Sequence, residues 1–201
     1  MKILKGMPVV KEIAAQAEIG IKRLEDRDVI PELAVIRVGD REDDIAYEKG
    51  IKKRFSSVNA KVKSVILPLD TTQEVLEETI FSLNKDTSIH GILVFCPLPD
   101  HLSQDRIKDI IDHRKDVDGI ERMNEVLVYE GRRDGCAPCT AGAVIEMLDY
   151  YGIDPAGKKV AIVGRSMVVG KPLAMLLLGK NATVTICHTK TVNLVDECKN
   201  A

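Results

Sequence analysis

Apolar residues recur along the chain with two alternating periods. Residues 8–27 carry Val9, Ile13, Ala17, Ile21 and Leu24 at helical spacing, which predicts an amphipathic helix. The run ELAVIRVG, 32–39, is short, β-branched and closed by glycine, as a buried parallel strand is. DDIAYEKGIKKRFSSV, 43–58, predicts a second helix, KVKSVILP a second strand, TQEVLEETIFSLNKD a third helix and HGILVFCPLP a third strand. Strand and helix alternate, and right-handed crossovers turn that order into a parallel sheet covered by helices. A loop-rich stretch follows. TAGAVIEMLDYYG then predicts a helix closed by Gly152, and GKKVAIVGRSMVVGKPLAMLLLGKNATVTICHT runs strand, glycine turn, helix, strand, the opening of a separate nucleotide-binding unit. The expected fold is therefore α/β in two domains, residues 1–140 with a parallel sheet and residues 141–201 forming the first part of a Rossmann-like unit.

Composition narrows the partners. The 201 residues hold 29 basic against 31 acidic side chains, so no net field draws the chain to nucleic acid or to an anionic membrane. No window reaches the roughly 18 apolar residues of a membrane span, and the N-terminus lacks a signal-peptide pattern, so a cytoplasmic protein is expected. Five cysteines, Cys96, Cys136, Cys139, Cys187 and Cys198, read as reduced thiols. Cys136 and Cys139 form one CxxC pair, but no second pair or histidine cluster completes a zinc site, and no metal is expected.

The glycine turn carries the first chemical signal. In VAIVGRSMVVGKP, Gly164 follows an apolar strand and Gly170 opens the next helix, which lets backbone N–H groups and a helix N-terminus approach a phosphate. The spacing is G-x5-G, not G-x-G-x-x-G, and a tight turn without a ligand has the same pattern. Arg165 can meet an anion bidentately. The strand ATVTICHT ends in His188 and Thr189, where the adenosine ribose sits in a doubly wound fold. A site for a free ribose carries Asp or Glu there. An imidazole and a hydroxyl near Arg165 favour a phosphorylated ribose, hence NADP over NAD.

These residues resemble the methylenetetrahydrofolate dehydrogenase/cyclohydrolase family of one-carbon metabolism. VGRSMVVGKP and ATVTICHT resemble its cofactor turn and following strand, CPLPDHL its PLP loop, RKDVDGI its KDVDG loop, PCTAG its PCTPxG segment, and RVGDREDDIAYEKGIKK its VGxxxxSxxYVxxKxK helix. The match runs in order along nearly the whole chain. The resemblance implies a folate-binding α/β domain, a Rossmann domain, an active site in the cleft between them, tetrahydrofolate derivatives as substrates and a homodimer. It assigns Tyr47 to stacking on the folate, Asp118 to the pterin, and Pro97, Leu98 and Pro99 to the cleft wall. Gly164, Arg165, Ser166 and Gly170 fall on the cofactor turn, and Thr189 replaces a serine near the adenosine phosphate. Taken alone, Tyr47 reads more readily as helix packing and Asp118 as a turn residue.

The resemblance breaks at one proton-handling pair. The family's general acid/base lysine stands four residues after the tyrosine, and here that position is Ile51. The glutamine before the PLP loop is replaced by Phe95. At about 100° per residue, Lys49, Lys52 and Lys53 point roughly 160°, 140° and 120° away from Tyr47. Hydride transfer needs alignment of cofactor and substrate but no side-chain base. The expectation is NADP-dependent oxidation of methylenetetrahydrofolate with weak or absent cyclohydrolase activity. The alternatives are a fully bifunctional enzyme recruiting Lys52 or Lys53, a non-catalytic folate-binding module, and a shikimate-type dehydrogenase, against which KDVDG and PLP together speak. Ala141 and Ala143 replace a proline and a glycine of the PCTPxG segment. The chain ends at DECKNA, where a further strand is expected, which suggests a fragment with an unfinished cofactor site.

Overall fold

The computed structural model describes residues 3–132 and 134–201. Its elements follow the order α1 (Gly6–Glu25), β1 (Glu32–Val38), α2 (Glu42–Ser56), β2 (Lys61–Leu67), α3 (Gln73–Lys85), β3 (Gly91–Val94), α4 (Gln104–Lys108), α5 (Arg122–Tyr129), α6 (Cys139–Tyr150), β4 (Lys159–Val163), α7 (Gly170–Gly179), β5 (Thr183–Cys187) and α8 (Leu194–Lys199). Packing divides them into two compact units, residues 10–117 and residues 3–9 with 118–201. That cut is made by contacts, whereas the division at residue 140 follows motifs.

In the first unit β1 lies between its neighbours in the order β2-β1-β3, all parallel, with Glu32 opposite Lys61 and Leu33 opposite Gly91. The middle strand is buried from Leu33 through Val38, whereas the outer strand β2 alternates. This is the difference expected between a strand covered on both faces and one at an edge. Helix α3 is fixed by Thr72, whose hydroxyl accepts the Val75 N–H at 3.4 Å, and it buries Leu76, Ile80 and Leu83. Helix α2 packs on the other side, its Ile51 and Phe55 set against Leu33, Val35 and Phe95.

The second unit pairs β4 with β5 in parallel, Lys159 opposite Thr183 and Val163 opposite Cys187. Its core joins Ala141 of α6, Ile162 of β4 and Leu173, Ala174 and Leu177 of α7. The parallel α/β expectation holds in both units. Two features differ from it. The loop-rich stretch contains α4 and α5, and α5 is capped by Glu121, whose carboxylate accepts the N–H groups of Met123 at 2.7 Å and Asn124 at 3.2 Å. Residues 194–199, for which no element was predicted, form a short helix.

Candidate functional site

Helix α2 has two distinct faces. Tyr47 is 61% exposed, yet its ring stands 5.2 Å from that of Phe95, tilted by 35°. One turn on, Ile51 is partly buried and belongs to the apolar cluster around Leu33, Val35 and Phe95. The position where a proton-carrying lysine was expected is therefore filled by hydrocarbon, packed against the phenylalanine that replaces the expected glutamine.

The lysines of α2 lie elsewhere. Lys53 is exposed. The Lys52 ammonium is 2.7 Å from Glu48 Oε1, one turn back on the same helix. Glu48 is 5% exposed, and it also accepts a hydrogen bond at 2.8 Å from Arg37 Nε of β1 and one from the Ser64 hydroxyl of β2. Arg37, 7% exposed, donates further to the Gly39 carbonyl and to Asp40 Oδ1. Burial pushes the Glu48 carboxyl up, but the hydrogen bonds from Lys52, Ser64 and Arg37 outweigh it and hold the group at about 2. Sequence reasoning missed this cluster. Its signals were an arginine inside an otherwise apolar strand and a Glu–Lys pair four residues apart on a helix.

The proline loop follows β3. Phe95 N–H still bonds the Ile36 carbonyl at 2.9 Å, and the chain then leaves the sheet through a cis Cys96–Pro97 bond. The Pro97 carbonyl accepts from Arg41 Nη1 at 3.2 Å, at the start of α2. The Pro99 carbonyl accepts the Leu102 N–H at 2.9 Å, so prolines 97 and 99 bracket Leu98 in a loop tied at both ends.

In the second unit Asp118 is partly buried beside Gly119. Gly119 has φ +64°, and a Cβ on it would lie 2.6 Å from both the Cys136 carbonyl oxygen and the Pro138 nitrogen. The aspartate is thus held on a turn pressed against the backbone of residues 136–138. That backbone is itself fixed, because Cys136 N–H donates at 3.0 Å to Asn124 Oδ1, a side chain shut inside α5. Neither Cys136 nor Cys139 is in a disulfide, and no group of three or more metal-ligating side chains occurs among the described residues.

The turn expected to hold the cofactor is built from the two glycines. Gly164 leaves β4 at φ +134°, and its N–H donates to the Cys187 carbonyl at 2.8 Å. The ends of β4 and β5 therefore lie side by side, and Arg165 and Thr189, each two residues beyond its strand, share the carboxyl edge of the sheet. Ser166 shapes the turn: its hydroxyl accepts the Val169 N–H at 3.1 Å and its carbonyl the Lys171 N–H at 3.0 Å. A Cβ on Gly170 would stand 2.1 Å from the Gly164 carbonyl oxygen, so α7 starts where only glycine fits. Arg165, Ser166 and Thr189 are all exposed. The result is a turn without side chains at its two glycines, at a helix N-terminus, with the exposed Arg165 within it, an arrangement suited to phosphate.

Comparison with known proteins matches both units of the chain to one family. Residues 4–118 match the family model of the tetrahydrofolate dehydrogenase/cyclohydrolase catalytic domain, and residues 138–201 match that of its NAD(P)-binding domain. The bifunctional protein FolD of Clostridium botulinum (strain Langeland / NCTC 10281 / Type F) is 46% identical over 200 residues, which span 100% of this chain and 71% of that protein. The crystal structure of the bifunctional enzyme FolD from Campylobacter jejuni superposes with a TM-score of 0.97 at 37% identity, over 100% of this chain and 71% of that one. The methylenetetrahydrofolate dehydrogenase-cyclohydrolase of Trypanosoma brucei, solved with NADP cofactor and inhibitor, gives a TM-score of 0.92 at 32% identity over 100% and 69% of the two chains.

Proposed function

Since the chain belongs to the tetrahydrofolate dehydrogenase/cyclohydrolase family, we propose that it oxidises 5,10-methylenetetrahydrofolate to the methenyl form with NADP, and that it hydrolyses the methenyl product weakly or not at all. The observation that carries the second half is Ile51, packed with Phe95 in an apolar cluster where the reaction with water needs a proton carrier. Lys52 offers no substitute, because its ammonium is engaged by a carboxylate that stays ionised far below neutral pH. Tyr47 supplies a ring face for the pterin, and the proline loop a wall whose shape is fixed by Arg41. Asp118 accepts from the pterin's N–H groups.

The turn fits NADP: glycine at 164 and 170 keeps its backbone tight and free of side chains, since a Cβ on Gly170 would strike the Gly164 carbonyl, Arg165 follows Gly164 in the turn, and Thr189 offers a hydroxyl in place of the carboxylate that would repel a 2′-phosphate. When bound, NADP takes up the hydride from the folate's methylene carbon. The chain's own residues bind and orient, and no side chain has to move a proton in that step. The reading extends to a homodimer, which sedimentation of the purified protein tests. It extends also to a cytoplasmic setting, supported by five cysteines outside any disulfide; no described helix is long and apolar enough to cross a membrane.

The test is to titrate the purified protein with NADP and with methylenetetrahydrofolate separately, then to follow cofactor reduction with both present. Reduction that depends on folate supports the reading. Binding of folate without any binding of NADP contradicts it.

A further inference from the structure

Arg37 is the one charged side chain in the buried run from Leu33 through Val38 of β1, and the chemistry proposed above gives it no task. Strand alternation puts it on the same side of the sheet as Leu33 and Val35, the side on which α2 lays Ile51 and Phe55. Burial strips most of the water from the guanidinium, so its donors need acceptors from the protein. It finds them on both flanks of a single residue, Arg41. Nη1 donates to the Gly39 carbonyl and, at 2.7 Å, to Asp40 Oδ1, on the two residues just before Arg41. Nε donates at 2.8 Å to Glu48 Oε2 on α2, the helix that begins just after Arg41. Both flanks are tied onward to β2, Glu48 by the Ser64 hydroxyl and Gly39 by its N–H to the Leu67 carbonyl at 2.9 Å.

Arg41 stands at the N-cap of α2 with an extended backbone, and its side chain does not cap the helix. Its Nη1 donates instead to the Pro97 carbonyl at 3.2 Å, on the loop after β3, while Asp44 Oδ2 lies 3.8 Å from its Nε. A long, half-exposed side chain gives up much rotamer freedom to make one such bond, and the bond holds best when the backbone beneath it is already fixed. We propose that Arg37 is a positioning residue for the folate site: gripping Gly39 and Asp40 on one side and Glu48 on the other, it fixes the backbone from which Arg41 holds the Pro97 carbonyl, and so sets where the proline loop stands. Arg37 acts through Arg41. A lysine there keeps the charge but, as a point donor, cannot serve the Glu48, Gly39 and Asp40 oxygens at once as the planar guanidinium does. The inference rests on the reading of the proline loop as a wall of the folate site, though the strap from Arg41 to Pro97 is a property of the first unit alone.

The experiment compares the wild-type protein with Arg37→Lys, Arg41→Met and the double variant Arg37→Lys/Arg41→Met. The carbon-13 shift of the Pro97 carbonyl reports the strap, and the Michaelis constants for folate and for NADP report its consequence. Arg41→Met is expected to move the carbonyl shift and to raise the folate KM by about five- to thirty-fold, with the NADP KM within about two-fold. Arg37→Lys, which leaves Glu48 a cation nearby, is expected to move the shift in the same direction and to raise the folate KM by about three- to ten-fold. The double variant decides the route: its folate KM should match that of Arg41→Met within about two-fold, whereas a general structural role for Arg37 would multiply the two effects. Asp40, whose side chain is 80% exposed, gives a milder probe that carries the test if Arg37→Lys does not fold. Asp40→Ala is expected to raise the folate KM by about two- to five-fold alone and to add nothing once Arg41 is Met. A folded Arg37→Lys protein with the carbonyl shift and the folate KM unchanged overturns the proposal, as do multiplied effects in the double variant or an equal rise in both constants. If the wild-type protein turns over no folate at all, the function proposed above fails, and the carbonyl shift still decides whether Arg37 holds the strap.

Discussion

Replacing Gly170 by alanine probes the cofactor cradle directly. The added Cβ would lie 2.1 Å from the Gly164 carbonyl oxygen, 2.6 Å from the Gly164 carbonyl carbon and 2.9 Å from Arg165 Cα. All three are backbone atoms, so no side chain can swing aside. Ordinary contact begins near 3.4 Å, and the turn between β4 and α7 must therefore open by more than an ångström. Forced overpacking of this kind costs about 1–3 kcal/mol. If that strain is relieved by binding-incompetent opening of the turn, NADP affinity falls by roughly five- to a hundred-fold. Titration of NADP into the wild-type and Gly170→Ala proteins measures the ratio. Gly142→Ala serves as the control, because nothing lies within 4 Å of its Cβ and the position is inside α6; that change is expected to be neutral or to stabilise by up to about 1 kcal/mol. An unchanged NADP affinity in Gly170→Ala would refute the assignment of this turn as the cofactor cradle.

Other predictions concern the two units separately. Glu48 is depressed from 4.5 to about 2 in the folded chain, so the stability it contributes is complete above the unfolded value and is lost as pH falls from 4.5 toward 2. The shift corresponds to about 3 kcal/mol, and urea unfolding at pH 6 and pH 3 should show a larger loss for the wild type than for Glu48→Gln. Leu177, 1% exposed in the core of the second unit, should cost about 2–5 kcal/mol when cut to alanine, read as a lower midpoint in denaturant. Gly119→Ala places a side chain at φ +64° and 2.6 Å from two backbone atoms; it should displace Asp118, raise the folate KM and leave NADP affinity unchanged.

Much of the fold was readable because strand and helix periods alternate cleanly. The helix expected over residues 43–58 spans Glu42–Ser56, and the strand expected over 32–39 spans Glu32–Val38. The third strand stops at Val94, earlier than its apolar run implies, because Pro97 and Pro99 have no N–H to offer a neighbour. Helices α4 and α5 escaped notice since they are 5 and 8 residues long, and α5 starts from a glutamate cap where serine, threonine, asparagine or aspartate is usual. The glycines of the cofactor turn were found by spacing, but the reason Gly170 must be glycine is a contact with Gly164 that only the folded turn creates. Glu48 was hidden for a similar reason. Its partners Arg37 and Ser64 come from two different strands, and their convergence depends on sheet register.

The central claim is that this protein keeps the oxidative half of its family's chemistry and lacks the proton carrier of the hydrolytic half. The most direct measurement is the ratio of methenyltetrahydrofolate hydrolysis, above the uncatalysed rate, to methylenetetrahydrofolate oxidation in one preparation of the purified protein, beside the Ile51→Lys/Phe95→Gln double variant. The account predicts a ratio far below one for the wild type and a rise of ten-fold or more in the double variant. Wild-type hydrolysis as fast as oxidation would contradict it.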